Sequence, residues 1–254
     1  MINDSAVARP LPSSPMKILL IDTCGATGSI ALVGAAASPA VLSLPSRSAA
    51  ERLVPAIQSL VAGLGLSLAE LDTIAVVHGP GSFTGERVGL SAAKGVCHAL
   101  NLPLVAISRL AVLASLAQFA SPEQPSDVPV RALLDAGRGE FYSGLYAGGH
   151  CLQEALLTRD QLLAEAGREP RQLFVVCEPV VAQSIAELAP QIVAEPTAAS
   201  ALPIALARIQ QRSFDDPATI DANYLRRTDA EIFAKSIAAA APPLSATRPA
   251  TPDR

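Results

Sequence analysis

Apolar residues along the chain alternate between short unbroken runs and stretches with a helical period. Lys17–Asp22 is an apolar run closed by an acid and predicts a strand. A turn at Thr23–Thr27 leads to a second run at Gly28–Val33, so the two predict a hairpin, with Val41–Leu44 as a third strand on the same edge. From Ser48 to Gly63 the period becomes helical, with Ala50, Leu53, Val54, Ile57 and Val61 on one face. Pro55 inside that stretch predicts a kink or a late start. Thr73–Val77 is a further strand, ending in a glycine turn at His78–Gly85. A helix over Thr84–Leu100 follows, with Thr84 as its N-cap and Glu86 placed to suit the positive end of the dipole. Leu104–Ala106 predicts a short strand, and Ser108 caps a helix running to about Ala120.

Ser121–Pro129 is a Pro/Ser stretch and the predicted linker. After it the order starts again. Val130–Asp135, Glu140–Tyr146 and Cys151–Leu157 predict strands, and Thr158–Gly167 a helix. Leu173–Cys177 is a strand, and Val180–Ala189 and Thr197–Gln211 are helices. Three antiparallel strands followed by alternating helices and strands is the order of a ribonuclease-H-like lobe. The expected fold is therefore α/β: two ribonuclease-H-like lobes, mixed sheets flanked by helices, over residues 16–120 and 130–230. Residues 1–15 are read as a disordered leader, with Met16 as a candidate start, and 231–254 as a mostly disordered tail.

Composition narrows the function classes. Half of the 254 residues are hydrophobic and the formal charge is −4, enough for a core of two lobes and against a surface that grips nucleic acid alone. Cys24, Cys97, Cys151 and Cys177 form no CxxC pair, and His78, His98 and His150 are scattered, so neither a disulfide frame nor a metal site is expected. No apolar run is long enough to span a bilayer, and a cytoplasmic setting is expected.

The glycine turn is the first candidate site. Strand, glycine turn and helix N-terminus can hold an anion, through Gly79, Gly81, Ser82 and Thr84 with Asp22 nearby. It is neither a Walker loop, since Lys94 lies far inside the helix, nor a dinucleotide fingerprint. Asp22 reads as a remnant phosphate or metal ligand or, more simply, as a turn acid bonded to nearby amides. Asp135, Arg138 and Glu140 read the same two ways, as half of a magnesium site or as a hairpin turn. Gly85, Gly89, Ala93 and Cys97 recur every four residues as a ridge on which another helix can pack, beside Leu53 and Ile57 of the preceding helix. Arg87 opposes the helix dipole and calls for an acidic partner, in this chain or in another protein. Arg226, after Tyr224-Leu225, is read as a tie from the C-terminal segment to the first lobe, with Tyr and Arg as interface anchors the alternative, and Arg47, Arg52 and Lys94 as a solvated basic face rather than a patch for tRNA.

Four segments, KILLIDTCGATGSIALV (17–33), HGPGSFTGERVGLSAAKGVCHALNLPLVAISRL (78–110), LLDAGRGEFYSGLY (133–146) and Tyr224-Leu225-Arg226, resemble the bacterial TsaB (YeaZ) family in the same order. The resemblance covers roughly residues 16–230 and is weakest over 158–210. It implies the actin, Hsp70 and sugar kinase superfamily and a non-catalytic role in tRNA threonylcarbamoyladenosine formation. The implied partners are TsaD, as a heterodimer through first-lobe helices, and TsaE through that pair. tRNA would be reached only through the complex, and a homodimer is possible in isolation. The implied interface residues are Leu53, Ile57, Gly85, Arg87, Gly89, Ala93 and Cys97. No cofactor is expected, with a nucleotide at the partner contact left open.

Departures bear on this reading. The segment matching the metal-binding helix of TsaD, Ile107–Ala117, has no histidine, acid or cysteine, and Ala49 stands where the family often has a histidine. Cys177-Glu178-Pro179 replaces a second glycine turn, which weakens nucleotide binding in the cleft. Two alternatives stand beside the scaffold reading: a small-molecule or acyl kinase using Asp22, Asp135 and the glycine loop, and a peptidase, for which no Ser-His-Asp set or metal-binding histidine pair is evident.

Overall fold

The computed structural model describes residues 15–45, 48–120 and 128–226. Two five-stranded mixed sheets make its framework. In the first, β1 (Ile18–Asp22), β2 (Gly28–Val33) and β3 (Ala40–Leu44) pair antiparallel, and β4 (Thr73–Val77) and β5 (Leu104–Ile107) add in parallel, in the order β3-β2-β1-β4-β5. The second repeats this plan with β6 (Val130–Gly137), β7 (Glu140–Ala147), β8 (His150–Thr158), β9 (Leu173–Val176) and β10 (Gln191–Ile192), in the order β10-β9-β6-β7-β8. The repeat expected from the element order is present as topology.

Every residue of β1 and of β4 is buried, which is why these strands read as unbroken apolar runs and not as alternating ones. Alternate side chains serve opposite faces. Leu19, Ile21, Ile74 and Val76 pack with Leu53, Ile57 and Val61 of α1 (Ala49–Gly63) and with Leu90, Ala93 and Cys97 of α2 (Phe83–Leu100). Ile18, Leu20, Ala75 and Val77 face the other way. Pro55 lies inside α1, which remains one continuous helix. The N-cap of α2 is Ser82 and not Thr84: its hydroxyl accepts from the Gly85 amide at 3.2 Å. At the far end Asn101 takes the left-handed conformation at φ 51° and closes the helix.

Two helices cross the expected lobe boundary. α3 (Arg109–Ala120) follows β5 in sequence, yet Leu110, Leu113, Ala114 and Ala117 pack on Val130, Ala132, Leu134 and Val175 of the second sheet. Its Val112 points instead into the first-lobe cluster with Ile18 and Val105. A helix that is apolar on most sides, with Gln118 exposed, suits a position between two sheets. Conversely, the 3-10 turn Ala198–Ala201 and α6 (Leu202–Gln210) return to the first sheet. Ala198, Ala201, Ala205 and Ile209 cover Ile18, Leu20, Ala31 and Ala75 there, small side chains allowing close contact. The Asp215 carboxylate accepts from the Ala106 amide at 2.7 Å and fixes the segment after α6 to β5. A simple division into 16–120 and 130–230 therefore does not describe the packing. α4 (Arg159–Arg168), opened by a Thr158–Gln161 capping box, and α5 (Pro179–Ser184) stay with the second sheet. Residues 1–14 of the leader, 121–127 of the linker, 227–230 of the second lobe and the whole tail 231–254 lie outside the described residues.

Candidate functional site

A cavity of about 600 Å³ lies between the lobes. The β1–β2 loop (Thr23, Cys24, Gly25), the glycine turn (Gly81, Ser82) with Thr84 and Gly85 of α2, and Ala49 of α1 line it from the first lobe. Leu134, Asp135 and Glu178 line it from the second, with Arg109 between them. The strands β1 and β6 both end here, at the place where open α/β sheets bind ligands.

The glycines are spaced for close approach within the chain. A methyl group on Gly81 would come within 2.4 Å of the Cys24 carbonyl oxygen, and one on Gly85 within 1.9 Å of that of Thr23. The Ser82 amide donates to the Cys24 carbonyl at 2.8 Å, and the Thr23 hydroxyl donates to the Gly85 carbonyl at 2.6 Å. With the Gly85 amide on Ser82 Oγ and the Glu86 amide on the Ser82 carbonyl, several donors an anion would need are already used. Gly79, at φ +117°, lies against the Glu86 carboxyl.

The acids of the cleft are arranged as turn acids. Asp22 is 2% exposed and accepts from the Cys24 amide at 2.9 Å. Burial raises its pKa, partly offset by the Arg109 guanidinium. Asp135 accepts from the Gly137 amide at 2.8 Å, and its own amide donates to Glu178 at 2.8 Å, so it forms the hairpin turn. Arg138 sits at the tip of that turn with φ 59°. Among the described residues no three His, Cys, Asp or Glu side chains come together as a metal site.

Three residues central to the geometry carry little signal in the sequence. Arg109 is 5% exposed; its Nη2 lies 3.1 Å from Glu195 Oε1, and its Nε has no hydrogen-bond partner. Burial works against its charge, but the Asp22 and Glu195 carboxylates favour the protonated guanidinium. A single arginine opening an otherwise apolar helix is a faint clue, and Glu195, 86 residues away, gives none. Glu86, read as a dipole acid, turns inward, is 3% exposed, and has its pKa pushed up to about 7 by burial. Glu154 links the lobes: it accepts from Ser108 Oγ at 2.5 Å, from Asn223 at 2.6 Å, and from the Tyr146 hydroxyl.

The small-residue ridge is occupied within the chain. Gly85, Gly89, Ala93 and Cys97 are buried, as are Leu53 and Ile57. A methyl on Gly89 would meet Thr23 Oγ1 at 2.3 Å. These six residues are core and present no surface to a partner in this conformation; of the seven expected interface residues, only Arg87 is exposed. The outer face of the α1–α2 pair is formed instead by residues such as Val54, Ser91 and Gly95, where a methyl on Gly95 meets nothing. Lys94 of the expected basic face donates to the Ile220 carbonyl at 2.9 Å, Arg52 is exposed, and Arg47 lies outside the described residues. Arg226 ties the C-terminal segment to the second-lobe hairpin, not the first lobe, through Glu140 at 2.7 Å and the Ala136 carbonyl at 2.7 Å. Tyr224 makes the tie to the first lobe by accepting from Arg87 Nε at 2.8 Å.

Comparison with known proteins agrees with this architecture. A family model described as TsaD, tRNA N6-adenosine threonylcarbamoyltransferase, matches residues 43–174, just over half of the chain. The tRNA threonylcarbamoyladenosine biosynthesis protein TsaB of Escherichia coli K12 is 34% identical over 131 residues, covering 52% of this chain and 55% of that protein. The protein of the same name from Bacillus subtilis 168 is 34% identical over 132 residues, with the same coverage of 52% and 55%. The chain thus spans about half the length of the curated relatives it matches. The crystal structure of YeaZ from Pseudomonas aeruginosa is similar with a TM-score of 0.63 at 26% identity, over 80% of this chain and 98% of that one. Two sheets of matching order, the glycine turn packed on the β1–β2 loop, and these matches place the chain in the TsaD-like family, within its TsaB (YeaZ) branch.

Proposed function

We propose that this chain acts in tRNA threonylcarbamoyladenosine formation as a non-catalytic subunit that supports a TsaD-type transferase. Membership in the TsaB branch carries the reading. The cleft is consistent with it: Arg109 already supplies a cation beside Asp22, and Glu178 places an acid where a second phosphate-binding turn would lie. Glu178 disfavours the kinase alternative, because with Asp135 it adds negative charge to the cavity lining, which opposes phosphate. A TsaE-type ATPase would join through the pair, and tRNA would reach this chain only within the complex.

Docking is assigned to the outer face of α1 and α2. Val54 is 52% exposed there, and Ser91 and Gly95 allow a partner helix to approach closely. Gly95→Arg adds bulk and charge to that face without entering the core. The expected result is a loss of TsaD binding of at least roughly tenfold, an order set by typical interface hot spots, with a melting temperature no lower than that of wild type. Wild-type affinity in a folded Gly95→Arg protein would place the contact elsewhere. In cells, depletion of this chain is expected to lower threonylcarbamoyl modification of adenosine 37; unchanged modification would refute the functional reading.

A further inference from the structure

Beside the N-terminus of α2, an arginine is held between two exposed rings. The Arg87 guanidinium carbon lies 3.4 Å from the Phe83 ring centroid and 5.4 Å from that of Tyr224. The two ring centroids are 5.9 Å apart, and Arg87 Nε donates to the Tyr224 hydroxyl at 2.8 Å. Phe83 is 49% and Tyr224 37% exposed, large values for rings with no covering element. The two Nη groups of Arg87 have no acceptor and no ion pair among the described residues. Its neighbour in sequence, Glu86, cannot serve, because that side chain is turned inward beneath Gly79. Next to this cluster is a pocket of about 160 Å³ whose lining includes Phe83, Tyr142, Tyr224 and Leu225, with the polar Glu86, Asn223 and Arg226.

We propose that Arg87, braced by Phe83 and Tyr224, is an anchor that binds an Asp or Glu carboxylate of the partner protein, with a neighbouring apolar side chain of that partner in the adjacent pocket. Stacking and the Nε bond fix the guanidinium before binding, so less rotamer entropy is lost when its free edge takes a carboxylate in a two-point contact. Exposed Arg, Tyr and Phe grouped around a small pocket also match the composition of interface hot spots. A protein carboxylate is favoured over an RNA phosphate because the surroundings are not basic. Arg226 is paired with Glu140, and Lys94 is bonded to a backbone carbonyl, leaving one free cation among the described residues of this patch.

This inference rests on the proposed docking to a TsaD-type transferase and deepens it. The test measures affinity of the full chain for that protein, with Gly95→Arg run alongside. Arg87→Ala is expected to weaken binding roughly 30-fold. Arg87→Lys keeps the charge but not the fork and should recover only a small part of the loss. Tyr224→Phe keeps both rings, removes only the Nε bond of the brace, and should weaken binding by about threefold. Melting temperatures check that each variant is folded. If Arg87→Ala binds as wild type while Gly95→Arg does not, the anchor is refuted and the docking reading stands. If wild type fails to bind the transferase, both fall. Asp229 and Glu231 follow Arg226 in sequence, outside the described residues; if Asp229→Asn with Glu231→Gln reproduces the Arg87→Ala loss, the acid belongs to this chain and the anchor is refuted. If isolated wild type binds tRNA at low salt and Arg87→Ala abolishes it, the site reads phosphate and the carboxylate assignment is overturned.

Discussion

Gly85→Ala is expected to lower the unfolding free energy by about 3–5 kcal/mol, near the upper end for one added methyl group. The reason is local and severe. The new carbon would stand 1.9 Å from the Thr23 carbonyl oxygen, which belongs to backbone at the end of a fully buried strand. Neither side can yield cheaply, because the Thr23 hydroxyl also donates to the Gly85 carbonyl at 2.6 Å. Gly95→Ala, ten residues on in the same helix, is the matched control. Nothing lies within 4 Å of its added methyl, and replacing a helical glycine should raise stability by about 1 kcal/mol. Denaturant titration of both variants decides the matter: equal midpoints would mean that the β1–β2 loop does not press on α2 as described. Gly89 behaves like Gly85, with Thr23 Oγ1 at 2.3 Å from an added methyl. A bulky residue at Gly89 would therefore disturb folding and is a poor probe of partner binding.

Stability should fall as pH rises from about 4.5 to about 7, and Glu86 should account for a large share of the fall. Burial raises its carboxyl from 4.5 to about 7, opposed by the Gly81 amide and by Arg87 and Arg109. Between those two values the folded chain binds a proton that the unfolded chain has lost. Folding is therefore favoured at low pH and loses this contribution as the pH rises through the folded value. For a side chain this buried the difference is on the order of 3 kcal/mol. Asp22 and Glu178, both raised mainly by burial, act with the same sign. Glu86→Gln isolates the one group: its stability should depend less on pH, and the variant should exceed wild type above pH 7. Parallel stability curves for the two proteins between pH 5 and 8 would refute the assignment.

Nine of the ten strands and the repeat of element order were legible because each leaves a local signature; β10, two residues long at Gln191–Ile192, leaves none. Ile18–Asp22 and Thr73–Val77 are unbroken apolar runs, and both are central strands buried on two faces. Ser108 at the start of α3 and the hairpin at Asp135–Glu140 were readable from turn and cap chemistry. The cap of α2 was misplaced by two residues, since Ser82 and Thr84 are both competent caps and only the loop geometry chooses between them.

Sequence alone determined most of the element types, the family likeness, and that Gly81, Gly85 and Gly89 mark places of tight turning or close approach. Tertiary structure decided what those glycines touch. A stripe of small residues requires close approach to some neighbour, and nothing in its spacing says whether that neighbour is a partner helix or, as here, the chain's own β1–β2 loop. It also decided which sheet α3 and α6 cover, that Glu86 turns inward, that Arg109 meets Glu195, and that Arg87 meets Tyr224 across 137 residues. Periodicity records how much of a segment is buried, whereas the identity of what buries it is set by contacts far apart in the chain, which no local pattern encodes.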